Sequence, residues 1–229
     1  IEGIAIPSGM QLSSESKITG NSLQTTTTLT HETDSLFLNG GYNLHTQDYT
    51  ADLHIKEINL HKFMPQDSLY GLSAYVKAAG KGFDVFSRHT SAQLDAGLDH
   101  LEYGSRVFSG VQMEAKLEQN KLSAHLNAKD NAMDVQTTIE GTLYPKQIEA
   151  VVNATVNRLD LYAMQITPKP LKTSQKISIA FQTDMKQTHK VRADITQNKL
   201  ITPEKTFSTK DLHAGVSLTG DSIRSYVNA

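Results

Sequence analysis

Apolar and polar residues alternate along most of the chain with a period of two. From Val111 to Glu118 every second residue is apolar, and the residues between them are polar or charged. The same alternation recurs from Leu122 to Ala128, from Val135 to Leu143 and from Ile148 to Val156. Because successive side chains of a strand point to opposite faces, alternation of this length indicates half-buried β-strands rather than helices.

Short polar turns separate these strands. Gln119-Asn120, Asp130-Asn131 and Tyr144-Pro145-Lys146 each interrupt the alternation for only two or three residues. Strands joined by such short connections must lie beside each other and run antiparallel. The segment is therefore predicted to be a β-meander.

The alternation extends towards both ends of the chain. The Thr-rich stretch 22–30 has high β propensity. In the strand that begins at Ala92, the apolar positions change parity after Leu98, which predicts a β-bulge near Asp99-His100. The last residues, 222–229, still alternate. We therefore expect the chain to be a segment of a longer protein. Further strands are predicted around Leu36–Leu44, Ile177–Phe181, Val191–Ile195 and Leu212–Leu218.

Two segments depart from the alternation, and they resemble each other. Residues 57–65 and 158–166 each predict a strand that leads into a short helix, which a following proline ends. Aligning Ile58 with Leu159 gives an offset of 159 − 58 = 101 residues and pairs similar side chains. The chain is predicted to be a single segment, 1–229, with two weak repeats (about 1–65 and 66–170) and the start of a third.

A sheet with one apolar and one polar face does not stay open and flat in water. It forms a sandwich, closes into a barrel or curls over its apolar face. The apolar positions are rich in Ala, Val and Leu, and aromatic residues make up only 7% of the chain. Small aliphatic side chains favour a curled sheet with internal space over a tightly filled core.

Composition and charge exclude several classes of protein. The 229 residues contain no Cys, so a disulfide framework, a thiolate nucleophile and a Cys-based zinc site are excluded. Lys and Arg number 22 against 24 Asp and Glu, which disfavours a nucleic-acid-binding protein. No apolar run approaches the roughly 18 residues of a membrane-spanning helix, so a helical membrane protein is excluded.

The search for catalytic and ligand-binding motifs predicts none. Phosphate-binding loops, metalloprotease motifs and nucleophile elbows are missing from the sequence. His54 and His61 flank the first departure from alternation, but solvent-facing histidines fit their polar neighbours better than a metal pair. Carboxylates such as Glu114 and Glu140 fall on polar faces and read as solubilising charge. Catalytic residues, metal sites and cofactors are therefore not expected.

The segments Leu53–Gly71 and Leu159–Pro168, with the repetitive strands around them, resemble the TamB-type translocation and assembly module proteins of Bacteroidota. This family belongs to the wider AsmA-like group. The resemblance implies a long periplasmic parent, tethered to the inner membrane by an N-terminal helix. It also implies a U-shaped, taco-like β-groove lined by apolar side chains, with roles in lipid transport, protein secretion and outer-membrane biogenesis.

The residues and the resemblance together predict an all-β fold of long antiparallel strands, curled into a taco-like β-groove with one or two short helices. We expect a non-enzymatic, periplasmic segment that shields phospholipid acyl chains or outer-membrane protein strands from water. An outer-membrane β-barrel assembly protein is a further expected partner, and nucleic acid is not. The expected groove-lining residues are Val111, Met113, Ala115, Leu117, Leu122, Leu126, Val135, Ile139, Leu143, Ile148, Val152 and Val156.

The sequence is also compatible with two other functions. A closed β-sandwich that serves as a binding or adhesion module predicts a filled core without an elongated apolar groove. A glycan-active enzyme on a β scaffold predicts a polar cleft with two carboxylates at hydrolase spacing.

Overall fold

The computed structural model describes residues 5–229, almost all of them in strands or short turns. The strands up to Glu118 are β1 (Gln11–Thr19), β2 (Ser22–His31), β3 (Asp34–Asn43), β4 (Asp48–Asn59), β5 (Leu69–Lys81), β6 (Ser91–Tyr103), β7 (Arg106–Phe108) and β8 (Val111–Glu118). The later strands are β9 (Lys121–Lys129), β10 (Met133–Tyr144), β11 (Gln147–Asp160), β12 (Lys172–Thr183), β13 (Thr188–Ile201), β14 (Thr206–Ser208), β15 (Leu212–Thr219) and β16 (Ser222–Asn228). A single-turn 3-10 helix, Leu60–Lys62, follows β4.

The contacts divide the chain into two units. The first comprises the described residues up to Phe83 together with Ser91–Glu114, and the second comprises Asp84–Thr90 together with Ala115–Ala229. β8 contributes residues to both units.

Each unit is an antiparallel meander. The strand order is β1-β2-β3-β4-β5-β6 in the first unit and β9-β10-β11-β12-β13-β15-β16 in the second. The short strands β7 and β14 pair with β6 and β13. Within the described residues β1 pairs only with β2, and β16 only with β15. The predicted all-β fold of long antiparallel strands in an unclosed sheet is confirmed.

Bulges interrupt the strand pairing at defined positions. Ser73 pairs with His100 and Ala74 with Leu98, so Asp99 is the extra residue, as the parity change predicts. β4 and β11 also contain register shifts, between Ile55 and Ile58 and between Val156 and Leu159. These two irregularities are separated by 156 − 55 = 101 residues, which is the offset of the sequence alignment.

The first predicted short helix is present, and the second prediction is wrong. The side chain of Asn59 caps the helix Leu60–Lys62 by accepting a hydrogen bond from the backbone N–H of His61. Residues 161–165 form turns instead. Gln165 has a left-handed backbone with φ 56°. The N–H of Ile166 donates a hydrogen bond to the carbonyl of Leu161 at 2.8 Å. This left-handed residue ends the segment before a second helical turn can form.

The chain buries little of its apolar surface. Among the described residues the buried apolar side chains are Ile58, Leu117, Ala124, Ala128 and Val156. The accessible surface is 14997 Å². Two separate compact units sharing the 229 residues would expose only about 12,400 Å² together. The strands therefore form half-covered faces rather than a filled core.

Candidate functional site

The predicted groove-lining residues of β9, β10 and β11 share one face of the second unit. Ile139 lies opposite Ala124 on β9 and Val152 on β11. Val135 lies in the same way between Ala128 and Val156. Directly paired residues of neighbouring strands point to the same side, so these side chains form cross-strand rows. Leu122, Leu126, Leu143 and Ile148 have the same parity and occupy the same face.

We call this side of the second unit the apolar face. One of its rows runs from Val152 through Ile179, Ala193 and Ala214 to Val227. The apolar face therefore crosses every long strand from β9 to β16, beyond the predicted lining, which ended on β11. Alternation at 177–181 and 191–195 predicts strands with one apolar side. Only the strand pairing shows that these apolar residues continue the rows of β9 to β11.

The β8 residues of the predicted lining also follow the alternation. Val111, Met113 and Ala115 are half-buried and Leu117 is 7% exposed, whereas the polar residues between them are exposed. Val111 and Met113 belong to the first unit, and Ala115 and Leu117 to the second.

The first unit has an apolar face of its own. Leu38 pairs with Leu53, Leu53 with Val76, and Val76 with Ala96, which gives an apolar row across β3 to β6. A parallel row contains Leu36, Ile55, Ala74 and Leu98. None of these residues is in the predicted lining, although the alternation of Leu36, Leu38, Leu94 and Leu98 marks them as strand positions.

Several large side chains of the apolar face are exposed on the strands that follow β11. Val156 on β11 is 8% exposed, Phe181 on β12 36%, Val216 on β15 51% and Ile223 on β16 73%. Large apolar side chains on the outer strands therefore lack cover from other described residues. Contiguous exposed apolar surface of this kind marks a binding surface or a site of association.

The opposite side of each sheet carries the polar and charged residues. In the first unit the Tyr75 ring covers Gly97, where a Cβ would lie 2.2 Å from the ring. The Tyr75 hydroxyl donates a hydrogen bond to Asp95 at 3.1 Å, which raises the pKa of the tyrosine. In the second unit the Tyr226 ring covers Gly215 in the same way. Each glycine thus accommodates an aromatic ring flat against the sheet.

The polar side of the second unit contains two adjoining depressions. One, of about 670 Å³, is lined mainly by β9, β10 and β11, and the other, of about 570 Å³, by β11, β12, β13, β15 and β16. Both include Glu149, Ala150 and Val151, so they share residues of β11. Sequence reasoning did not predict them, because the residues involved come together only through strand register.

Two aspartates of the second unit stabilise a turn and a strand pair. Hydrogen bonds from the backbone N–H groups of Thr188, Lys186 and Gln187 hold the pKa of Asp184 well below its usual range. His213 and Arg192 lower the pKa of Asp194, which lies 2.6 Å from the His213 ring and 3.0 Å from Arg192.

The histidines considered as metal ligands have separate partners. His54 lies 2.8 Å from Asp52, and His61 lies 2.9 Å from the carbonyl of Asp67. The described residues contain no group of three or more His, Cys, Asp or Glu that could hold a metal ion. No helix between residues 5 and 229 has the length and apolar character needed to cross a membrane.

Comparison of the chain with protein-family models, curated proteins and solved structures gave no match.

Proposed function

We propose that the chain is a segment of a TamB-like envelope protein, which shields apolar guests on its apolar face during transport or assembly towards the outer membrane. The guests are phospholipid acyl chains or the strands of outer-membrane proteins. The observation that carries the proposal is the apolar row that continues from Ala124 on β9 to Val227 on β16, together with the exposed large apolar side chains on the strands after β11.

The dimensions of the apolar face suit an acyl chain. Such a chain spans half of a bilayer core of about 30 Å, roughly 15 Å. Neighbouring strands lie about 4.8 Å apart, so three strand spacings accommodate this length. Each CH₂ group that leaves water contributes about 0.8 kcal/mol. Movement along the face is passive, because the row from Ala124 to Val227 is apolar on every strand and the hydrophobic effect opposes escape into water.

The small number of buried apolar side chains favours an uncovered apolar face over the closed β-sandwich. A sandwich covers the inner faces of both its sheets, whereas Phe181, Val191 and Val216 are 36%, 41% and 51% exposed. The placement in the periplasm, the tether to the inner membrane and the barrel partner rest on the family resemblance and are part of the proposal.

Charges placed on the apolar face test this function. We expect Ile139→Asp to reduce the phospholipid that co-purifies with the chain about tenfold, because a carboxylate in an apolar row must be desolvated when an acyl chain covers it. Mass spectrometry of lipid extracts measures the amount. Leu126→Asp, on the neighbouring strand, is expected to have the same effect.

The matched control is Gln136→Asp, on the same strand as Ile139 but exposed on the polar side. It introduces the same charge and is expected to leave lipid retention unchanged. Folding of each variant is checked by its β-sheet circular dichroism. Unchanged lipid retention in folded Ile139→Asp and Leu126→Asp, or an equal loss in Gln136→Asp, would contradict the proposal.

A further inference from the structure

The two depressions on the polar side of the second unit form one trough across the strands. Its floor is backbone, and its walls are two cross-strand rows two residues apart. The first wall contains Lys121, Thr142, Glu149, Gln182, Lys190 and Arg224, which follow one another in the strand register, with Ser217 between the last two. The second wall contains Ser123, Glu140, Val151, Ala180, Arg192 and Tyr226, with Gly215 between the last two.

The trough has the form of a site for a linear ligand. It crosses seven strands, from β9 to β16. Six spacings of about 4.8 Å give a length of roughly 29 Å. The walls are about 7 Å apart along the strands, since each residue of a strand adds about 3.4 Å. A single extended chain fits this width, whereas a helix of about 10 Å diameter does not.

The charges of the trough differ between its two ends. The end at β13 to β16 carries Lys190, Arg192 and Arg224. Arg192 forms an ion pair with Asp194, but Lys190 and Arg224 have no ion-pair partner among the described residues. Their backbones flank that of Ser217, two strand spacings or about 10 Å apart. Both side chains are long enough to reach one oxyanion between them, where the Ser217 hydroxyl adds a donor.

The end at β9 to β11 carries more carboxylates than cations, because Lys116 is paired with Glu118 and only Lys121 stands beside the two remaining carboxylates. Glu140 and Glu149 lie in opposite walls there, and Glu149 already accepts hydrogen bonds from the side chains of Gln147 and Gln182 at 2.8 Å. Carboxylates repel a ligand that has a negative charge on every unit, but they accept hydrogen bonds from hydroxyl groups. The ligand therefore needs hydroxyl groups at this end and an acidic group at the other.

Tyr226 supplies a flat apolar surface beside the basic end. Its ring lies over Gly215 and is 47% exposed, so one face is open to a ligand ring. Single-stranded nucleic acid requires a succession of stacking aromatic residues. The two walls contain this one aromatic ring, which disfavours nucleic acid. The apolar face lies on the other side of the sheet, which disfavours an acyl chain in the trough.

We propose that the trough binds an acidic oligosaccharide. Its sugar hydroxyls lie against Glu140, Glu149 and Gln182, one sugar ring stacks on Tyr226, and a carboxylate or phosphate substituent lies between Lys190 and Arg224. The site is separate from the apolar face, so it gives the chain a second ligand that does not compete with an apolar guest.

Titration calorimetry with a glucose hexamer whose terminal sugar is replaced by glucuronic acid, and with the same hexamer methyl-esterified at that one acid, tests this proposal. We expect the acidic hexamer to bind and the neutral one to bind about tenfold more weakly, because the two solvent-exposed ion pairs with Lys190 and Arg224 are lost. The combined change Lys190→Gln and Arg224→Gln is expected to weaken binding of the acidic hexamer by the same factor. It is expected to leave phospholipid retention unchanged. The affinity of a hexamer with a phosphate in place of the carboxylate shows which of these two substituents the site prefers.

The matched control is Ile223→Ser, which neighbours Arg224 in sequence but points to the apolar face. It is expected to leave binding of the acidic hexamer unchanged. The proposal is overturned by absence of binding at millimolar hexamer, by equal affinity of the folded Lys190→Gln/Arg224→Gln chain, or by tighter binding of a thymidine hexanucleotide. None of these outcomes bears on the apolar face, so the two proposals fail separately.

Discussion

Asn120 has the most deeply buried side chain among the described residues, and only 1% of it is exposed. It follows Gln119 in the turn after β8, and both have positive φ values, 50° and 65°. Two successive left-handed residues make a tight hairpin turn, which Asn accommodates better than most residues. Its side-chain amide also donates hydrogen bonds to the carbonyls of Phe86 and Leu143, each at 2.7 Å. Asn120 thus joins the 84–90 segment to the strands of the second unit.

We expect Asn120→Ala to destabilise the protein by about 2–4 kcal/mol. The change removes the donor of hydrogen bonds to two half-buried carbonyls and places a residue with a low left-handed preference in the turn. Urea unfolding measures the free energy. The control Asn127→Ala, at an exposed position of β9, is expected to change stability by less than about 0.5 kcal/mol. A loss for Asn120→Ala no larger than that of the control would contradict the assigned role.

The elements show how far alternation specifies this fold. Predicted strands such as 111–118 coincide with the observed β8, and the parity change at Asp99 locates a bulge, because a single face must be buried. The prediction fails at 161–165, where proline positions favour a short helix but the left-handed Gln165 gives turns. The 84–90 segment was also beyond sequence reasoning, because its membership of the second unit depends on the distant Asn120.

The turn between β12 and β13 provides a prediction about pH. Hydrogen bonds from three backbone N–H groups stabilise ionised Asp184 and lower its pKa in the folded state. A lowered pKa contributes stability above the unfolded value of about 4, and this contribution is lost as the pH falls below it. We expect Asp184→Asn to flatten the dependence of unfolding free energy on pH between about 6 and 3. Parallel losses of stability in both proteins over this range would contradict the prediction.

On the scale of the whole molecule, the sequence predicts the apolar face of the second unit but not the trough on its polar side. Alternation of residues such as Leu126, Ile139 and Val152 identifies the apolar side of the sheet from sequence. The trough depends on which polar residues lie opposite each other, as Lys190 does with Ser217 and Ser217 with Arg224. A shift of one residue in any turn or bulge changes every such pair, so alternation alone identifies the faces of the sheet but not these pairs.

Photo-crosslinking of bound lipid tests the central claim most directly. The chain has no Cys, so single variants Ile139→Cys and Gln136→Cys each carry one benzophenone label, on the apolar and the polar side of β10. After incubation with phosphatidylglycerol vesicles and irradiation, mass spectrometry measures the lipid adduct. The account predicts abundant adduct at position 139 and about tenfold less at position 136, because guests lie on the apolar face. Equal adduct at both positions, or none at 139 in the folded protein, would contradict it.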